Sequence, residues 1–343
     1  MDIGIVGAAG AGRTTVFRAL LAHRAPKQAG ARSASGSVGT IHVREPRLDR
    51  LAELFHPRKV TPVEIRVHDV CPSLEPTFPK DEIEAMKRLD QLLLVVPAFA
   101  DASPEASRSA LGQLIEELCL QDLELVERRL KFASRDKLED RIRHALEAAE
   151  SGLEASRPIS TALAAESREA LVGSGLITDR PMIAIRNVAE AEAGAPPPDA
   201  LVELAAELGL PVLSLCAALE AEMAELPPEE RDSFLSEYGI GEAAGAAVTR
   251  VLLDRADVIS FFTVGEDECR AWPIARGTAA RAAAGKVHSD MERGFIRAEV
   301  ISYTELEQLG GRMTDAKKSG KLRLEGKDYV VQDGDIVHVR FNV

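Results

Sequence analysis

Residues 7–15 read Gly7-Ala8-Ala9-Gly10-Ala11-Gly12-Arg13-Thr14-Thr15. This is the spacing of a phosphate-binding loop, G-x-x-x-x-G-K-[ST], with arginine in the lysine position. The apolar residues 3–6 lead into it, and helix-forming sequence starts at Val16. The glycines permit a tight turn that aims successive N–H groups, and the start of a helix, at phosphate oxygens. What differs is the cation. Lysine is a slim point charge, whereas the planar fork of arginine is wider and cannot sit the same way. Binding survives such a change more readily than phosphoryl transfer does. A strand-turn-helix rich in small residues would give a similar string, so the loop needs partners elsewhere in the chain.

Three later segments supply them. Residues 63–69 read as a strand ending in Asp69, where such proteins put the acid that holds Mg²⁺ directly or through water, so Thr14 and Asp69 are the candidate metal ligands. In G-type NTPases the next residues are D-x-x-G, with a glycine N–H donating to the γ-phosphate. Here they are Asp69-Val70-Cys71-Pro72, and proline has no N–H to donate. Asn187-Val188-Ala189-Glu190 resembles the base-reading N-K-x-D element with two changes. Glu190 stands for the aspartate that reads guanine, and Val188 for the lysine that packs along the base. Ser214-Leu215-Cys216-Ala217 resembles the S-A-K element whose backbone faces the base. The nucleotide-binding candidates are therefore Gly7 to Thr15 with Asn187, Val188, Glu190, Ser214, Cys216 and Ala217. No residue stands out as catalytic.

These segments need a scaffold that brings them to one edge. Short apolar stretches at 2–6, 63–67, 92–96, 182–185 and 212–215 alternate with amphipathic helical sequence, the pattern of a parallel sheet with crossover helices. Between the third and fourth, Leu111, Leu114, Ile115, Leu118, Leu123, Val126 and Leu130 recur at helical spacing among charged residues. This predicts a helical hairpin inserted into the sheet domain. Its plainest role is a solvated helix pair that acts as a spacer. Beyond about residue 260 the texture changes to short strands and turns, with strands expected at 300–303, 321–324, 329–331 and 336–341, which predicts a small separate domain.

The whole chain has 343 residues, with 42 Lys and Arg against 55 Asp and Glu and a net charge of −13. That argues against a general nucleic-acid coat. Residues 259–343 balance acid and base, so the excess lies in the first 258. The C-terminal part is thus the better candidate to approach RNA. Four scattered cysteines and the lack of a leader or long apolar run predict a cytoplasmic protein without a membrane span. His288, Asp290 and Glu292 lack metal-ligand spacing and read as turn structure. Lys317, Lys318, Lys321, Arg323 and Lys327 form a basic run that suits RNA phosphates or a solvated face equally. The single Trp272 reads as core.

Taken together, the order of these elements resembles the YchF or Obg-like ATPases, a branch of P-loop GTPases in which N-x-x-E replaces N-K-x-D. The stretches that carry the resemblance are Glu45 to Leu51, Cys216 to Glu222, Phe261 to Gly265 with Arg270-Ala271-Trp272, and above all Ala284 to Ile301 and Gly320 to Asp335. The resemblance implies an α/β fold: a G-type P-loop domain of mostly parallel sheet at 1–103 and 176–257, an inserted helical coiled-coil hairpin at 104–175, and a β-grasp-like TGS domain at 258–343. It also implies ATP preferred over GTP, ATP, GTP or ADP with Mg²⁺ as cofactors, and a ribosome- or RNA-linked partner reached through the TGS domain.

The departures from the family pattern cluster at the chemistry. Arg13 replaces the lysine. Residues 71–88 are short, lack glycine and contain three prolines, and no histidine lies between His68 and His144 where the family replaces the GTPase glutamine. Ser37 or Thr40 stands in for the switch threonine without a unique alignment. The expectation is a nucleotide-binding protein with slow or absent hydrolysis. The alternatives are a working Mg²⁺-dependent ATPase or GTPase of the same family and a nucleotide-free scaffold.

Overall fold

A computed structural model describes residues 1–21, 31–33, 36–43, 45–70, 78–132, 138–223, 225–240 and 243–342. Cys71 and Pro72 lie outside these. The strands in chain order are β1 (Asp2–Gly7), β2 (Ala31–Ser33), β3 (Gly36–Val43), β4 (Lys59–Thr61), β5 (Val63–Val70), β6 (Gln91–Ala98), β7 (Met182–Val188) and β8 (Val212–Leu215). They are followed by β9 (Val258–Thr263), β10 (Glu268–Ala275), β11 (Phe295–Ser302), β12 (Arg323–Glu325) and β13 (Asp335–Phe341). The chain divides into two compact units, Met1–Ile41 with Ile65–Leu252 and His42–Glu64 with Leu253–Val343.

The first unit is built on a sheet of order β2-β3-β5-β1-β6-β7-β8. The pairs β1–β5, β1–β6, β6–β7 and β7–β8 are parallel, as the alternating pattern requires. β2 and β3, which are too short or too polar to be read beforehand, form an antiparallel pair. Every residue of β7 is buried and almost all of β6 is. Burial on both faces is why their sequences are continuous apolar runs instead of alternating ones.

The long helix Pro104–Lys131 begins at Ser103, whose hydroxyl accepts from Ala106 N, with proline at the first helical position. Leu111, Leu114, Ile115 and Leu118, at helical spacing, belong to one apolar cluster with Leu92, Leu94, Met182 and Ala184 of the sheet. Farther along, Val126 packs in the same cluster as Ala145, Leu146 and Ala149 of the helix Asp140–Glu154. The inserted segment is therefore more than a solvated spacer, because its first half covers the sheet. Asp122 fixes it further: buried on the long helix, it accepts from Ile177 N at 2.8 Å and from Thr178 N at 2.7 Å. Two backbone donors just before β7 are satisfied in this way.

In the second unit the sheet order is β12-β11-β13-β9-β10-β4. One face carries Ala280 and Ala283 of the helix Ala280–Val287 against Phe261, Val300 and Val337. The other carries Leu48 and Leu51 of the helix Pro46–Phe55 against Phe262, Ile301 and Ile336. Arg47 stitches that helix down: it bonds Glu45, the helix cap, at 2.8 Å and Asp333 at 2.8 Å, and its guanidinium lies 5.3 Å from the Phe262 ring centre. Glu45 and Asp333, from two of the stretches that carried the resemblance, thus share a single side chain.

The strand expected at 329–331 is not formed. Val330 makes only an isolated bridge to Ala279, and the Tyr329 hydroxyl donates to the buried Asp335 at 2.7 Å. The His288 ring nitrogen Nδ1 accepts from Asp290 N and caps the helix Ser289–Arg293, the turn role expected of it. Trp272 stacks on Phe261 within the core cluster and donates to Thr263 Oγ1 at 3.0 Å.

Candidate functional site

The site lies at the carboxyl ends of β1, β5, β6, β7 and β8, where open parallel sheets bind their ligands. β1 ends at Gly7, and the helix Arg13–Leu21 starts after five residues. Ala11 N bonds Ala8 O at 3.1 Å to close the turn, and Val16 N bonds Gly12 O at 2.9 Å to start the helix. Gly10 and Gly12 adopt φ of 78° and 87°, a left-handed conformation that glycine takes without strain. At Gly12 space is also decisive, because a Cβ there would come 2.3 Å from Asn187 Nδ2. Ala8, Ala9 and Gly10 at the loop tip are exposed, and the first-turn amides beyond Gly12 have no intrahelical acceptors.

Thr14 Oγ1 donates to Asp69 Oδ2 at 2.9 Å, which joins the two candidate metal ligands. Asp69 is 5% exposed, and its Oδ1 is buried with no hydrogen-bond partner among the described residues. Burial pushes its carboxyl above the usual range, against the Thr14 hydrogen bond and the positive charges of Arg13 and Arg18. Arg13 is buried beside Gly7, its Cγ 3.4 Å from where a Cβ on that glycine would stand. Among the described residues no ion pair joins Arg13 to Asp69, so the arginine acts on the carboxyl by charge alone. A threonine hydroxyl and a carboxylate with one uncommitted oxygen fit a divalent cation that takes its other oxygens from phosphate and water.

Asn187, at the end of β7, does two jobs. Its Nδ2 donates to Ala11 O and its Oδ1 accepts from Ala217 N, both at 3.2 Å. The phosphate loop, the N-x-x-E turn and the helix Ala217–Met223 are tied together through one buried amide. Beside it opens a cavity of about 250 Å³ lined by Gly12, Thr15, Asn187, Val188, Glu190 and Cys216 from the expected set. Ala217 stands behind it through its bond to Asn187, and Ser214 lies in β8 with a buried hydroxyl that has no hydrogen-bond partner among the described residues. Burial raises the Cys216 thiol above its ordinary value, so it lines the cavity as a neutral group.

Phe99, Leu219 and Glu222 also line the cavity and were not anticipated. Phe99 follows directly on β6 and is 45% exposed. Its place at a strand's carboxyl end is the signal that would have found it. Ser37 and Thr40 both lie within β3.

Known proteins resemble the chain over its whole length. Residues 258–342 match the family model YchF-GTPase_C (Protein of unknown function, DUF933). The ribosome-binding ATPase YchF of Bacillus subtilis (strain 168) is 34% identical, covering 100% of both chains. That of Escherichia coli O157:H7 is 33% identical over 99% of both, and Obg-like ATPase 1 of Oryza sativa subsp. japonica is 28% identical over 100% of this chain and 92% of its own. The structure of the Schizosaccharomyces pombe YchF GTPase superposes with a TM-score of 0.86 at 24% identity, over 99% of this chain and 97% of that one, which establishes the shared fold.

Proposed function

The chain belongs to the YchF / Obg-like ATPase family, and from that premise we propose that it binds a purine nucleotide, ATP before GTP, hydrolyses it slowly or not at all, and acts through a ribosome-linked partner. The observation that carries the reading is the Asn187 bridge between Ala11 O and Ala217 N at the head of the cavity. A bridge of this kind keeps the phosphate loop and the base-side loops in register whether or not turnover follows. Thr14 and Asp69 would hold Mg²⁺, which supplies charge neutralisation at the β- and γ-phosphate oxygens when bound. The charge at the loop is Arg13, buried and beside Gly7.

Hydrolysis is a separate matter. Phosphoryl transfer depends on positioning and charge stabilisation, and each water-orienting or arginine-finger group is worth orders of magnitude in rate. This chain has arginine for the loop lysine, Pro72 where a γ-phosphate amide is needed, and no histidine between His68 and His144. The ribosome link rests on the relatives named ribosome-binding ATPase YchF. The C-terminal unit, read as a TGS domain, is the part proposed to reach that partner, in the cytoplasm.

The intact Thr14–Asp69 pair favours one second reading, in which a partner supplies the missing groups in trans and the chain is a working ATPase. Phosphate release from ATP, measured with and without ribosomes for the wild type and for Arg13→Lys, tests both. Under the first reading the wild type is slow in both conditions and Arg13→Lys gains at least about tenfold. Brisk release by the wild type with ribosomes would replace it with the second.

A further inference from the structure

Glu190 begins the short 3₁₀ turn Glu190–Glu192 and lines the cavity beside Asn187 and Val188. Two side chains from outside the turn grip it. At its far end Glu192 Oε2 accepts from Arg186 at 2.7 Å; this arginine, with 3% of its side chain exposed, also donates to Ala102 O and Ser107 Oγ. At its near end Glu190 Oε1 accepts from the Tyr238 hydroxyl at 2.9 Å.

Tyr238 is placed by more than this one bond. It caps the helix Pro228–Glu237, and its ring lies against Phe234 with centroids 5.1 Å apart. Both rings pack on the cluster of Val188, Cys216 and Leu219, three residues that also line the cavity. The carbonyls of Tyr238 and Gly239 stand 3.0 Å from where a Cβ on Gly194 would be, so the chain leaving the turn interlocks with the end of that helix. Nothing in the N-x-x-E spacing foretold this contact.

We propose that Tyr238 is a specificity-determining positioning residue, which commits Glu190 Oε1 and fixes its carboxylate so that the pocket accepts adenine over guanine. The inference rests on the nucleotide reading above. Guanine presents two adjacent donors on its reading edge, N1–H and the N2 amine, and a carboxylate satisfies them best with both oxygens turned side by side. Adenine presents a single amine beside a ring acceptor. A glutamate pinned through one oxygen to a phenol still meets one donor but loses the freedom to turn both oxygens onto a pair. The hydrogen bond to Glu190, then burial and the charges of Glu190, Glu237 and Glu222, raise the Tyr238 pKa, so its hydroxyl remains a donor.

The test is calorimetric titration of the full chain with Mg²⁺-ATP and Mg²⁺-GTP, for the wild type, Tyr238→Phe, Glu190→Gln and the double variant. The expected result is a wild type that favours ATP and a Tyr238→Phe variant whose GTP-to-ATP Kd ratio falls about three- to tenfold. In the Glu190→Gln background the same change should leave the ratio where it was, and melting curves report that each variant is folded. An unchanged ratio in Tyr238→Phe, a wild type that favours GTP, or an equal shift without Glu190 overturns the inference while leaving nucleotide binding standing. Absence of binding by any purine triphosphate would remove the functional reading and this inference together.

Discussion

Asp69 is 5% exposed, gives one oxygen to Thr14 and holds the other buried without a hydrogen bond among the described residues. Such a carboxylate suits a cation and burdens the ligand-free protein. Because burial raises its pKa in the folded state, the group favours folding only at low pH, below its unfolded pKa. That contribution is lost as pH rises through the folded value, and at neutral pH the ionised group is a net cost. Asp69→Asn should therefore raise the melting temperature of the ligand-free protein at pH 7 to 8 by about 2 °C, with the gain fading toward pH 4. A thermal-melt series over pH checks this, and an equal loss at every pH would contradict it. Motif spacing taken with strand order singled out Thr14, Asp69 and Asn187 as candidates, and the structure brings Thr14 to Asp69. The bridging of Asn187 was not legible, because its partners are backbone groups 176 and 30 residues away, and backbone leaves no motif. Tyr238 leaves no motif either, because it reaches the site by packing beside it, and Phe99 is marked only by its place after β6.

Among elements, the long buried strands and the inserted helices were legible because burial on both faces gives continuous apolar runs and a covered helix face gives spacing of three and four. β2, β3 and β4 were not, since two span three residues each and the third carries Gly36, Ser37, Gly39 and Thr40. The strand misread at 329–331 had β-branched residues, but its Tyr329 is drawn instead to Asp335. One glycine in the stretch most specific to the family has a structural reason. Gly294 has an ordinary φ of −91°, yet a Cβ on it would fall well inside contact distance of Asn342 O, while its own carbonyl accepts from Asn342 N at 2.9 Å. Gly294→Ala must push the end of β13 away from β11 and should cost about 1–3 kcal/mol. Urea unfolding would show it, and an unchanged midpoint would mean that the strand ends yield freely.

At the scale of the molecule, the proposed function separates the residues the fold needs from those turnover needs. The sheet, its core and the Asn187 bridge are formed, whereas the departures expected from the resemblance fall on Arg13, on the first switch around Ser37 and Thr40, and on the stretch after Asp69. Residues 42–64, expected with the nucleotide-binding part, pack within the C-terminal unit through Leu48, Leu51 and Arg47. An excursion of 23 residues between two strands of one sheet carries no compositional mark of belonging elsewhere. Among the described residues no helix is long and apolar enough to cross a membrane. We propose that this scaffold still binds nucleotide. Isothermal titration of the wild-type chain with Mg²⁺-ATP tests it most directly. Saturable heat with a Kd on the order of micromolar, about −8 kcal/mol, is expected; no heat with ATP, ADP or GTP would rule nucleotide binding out.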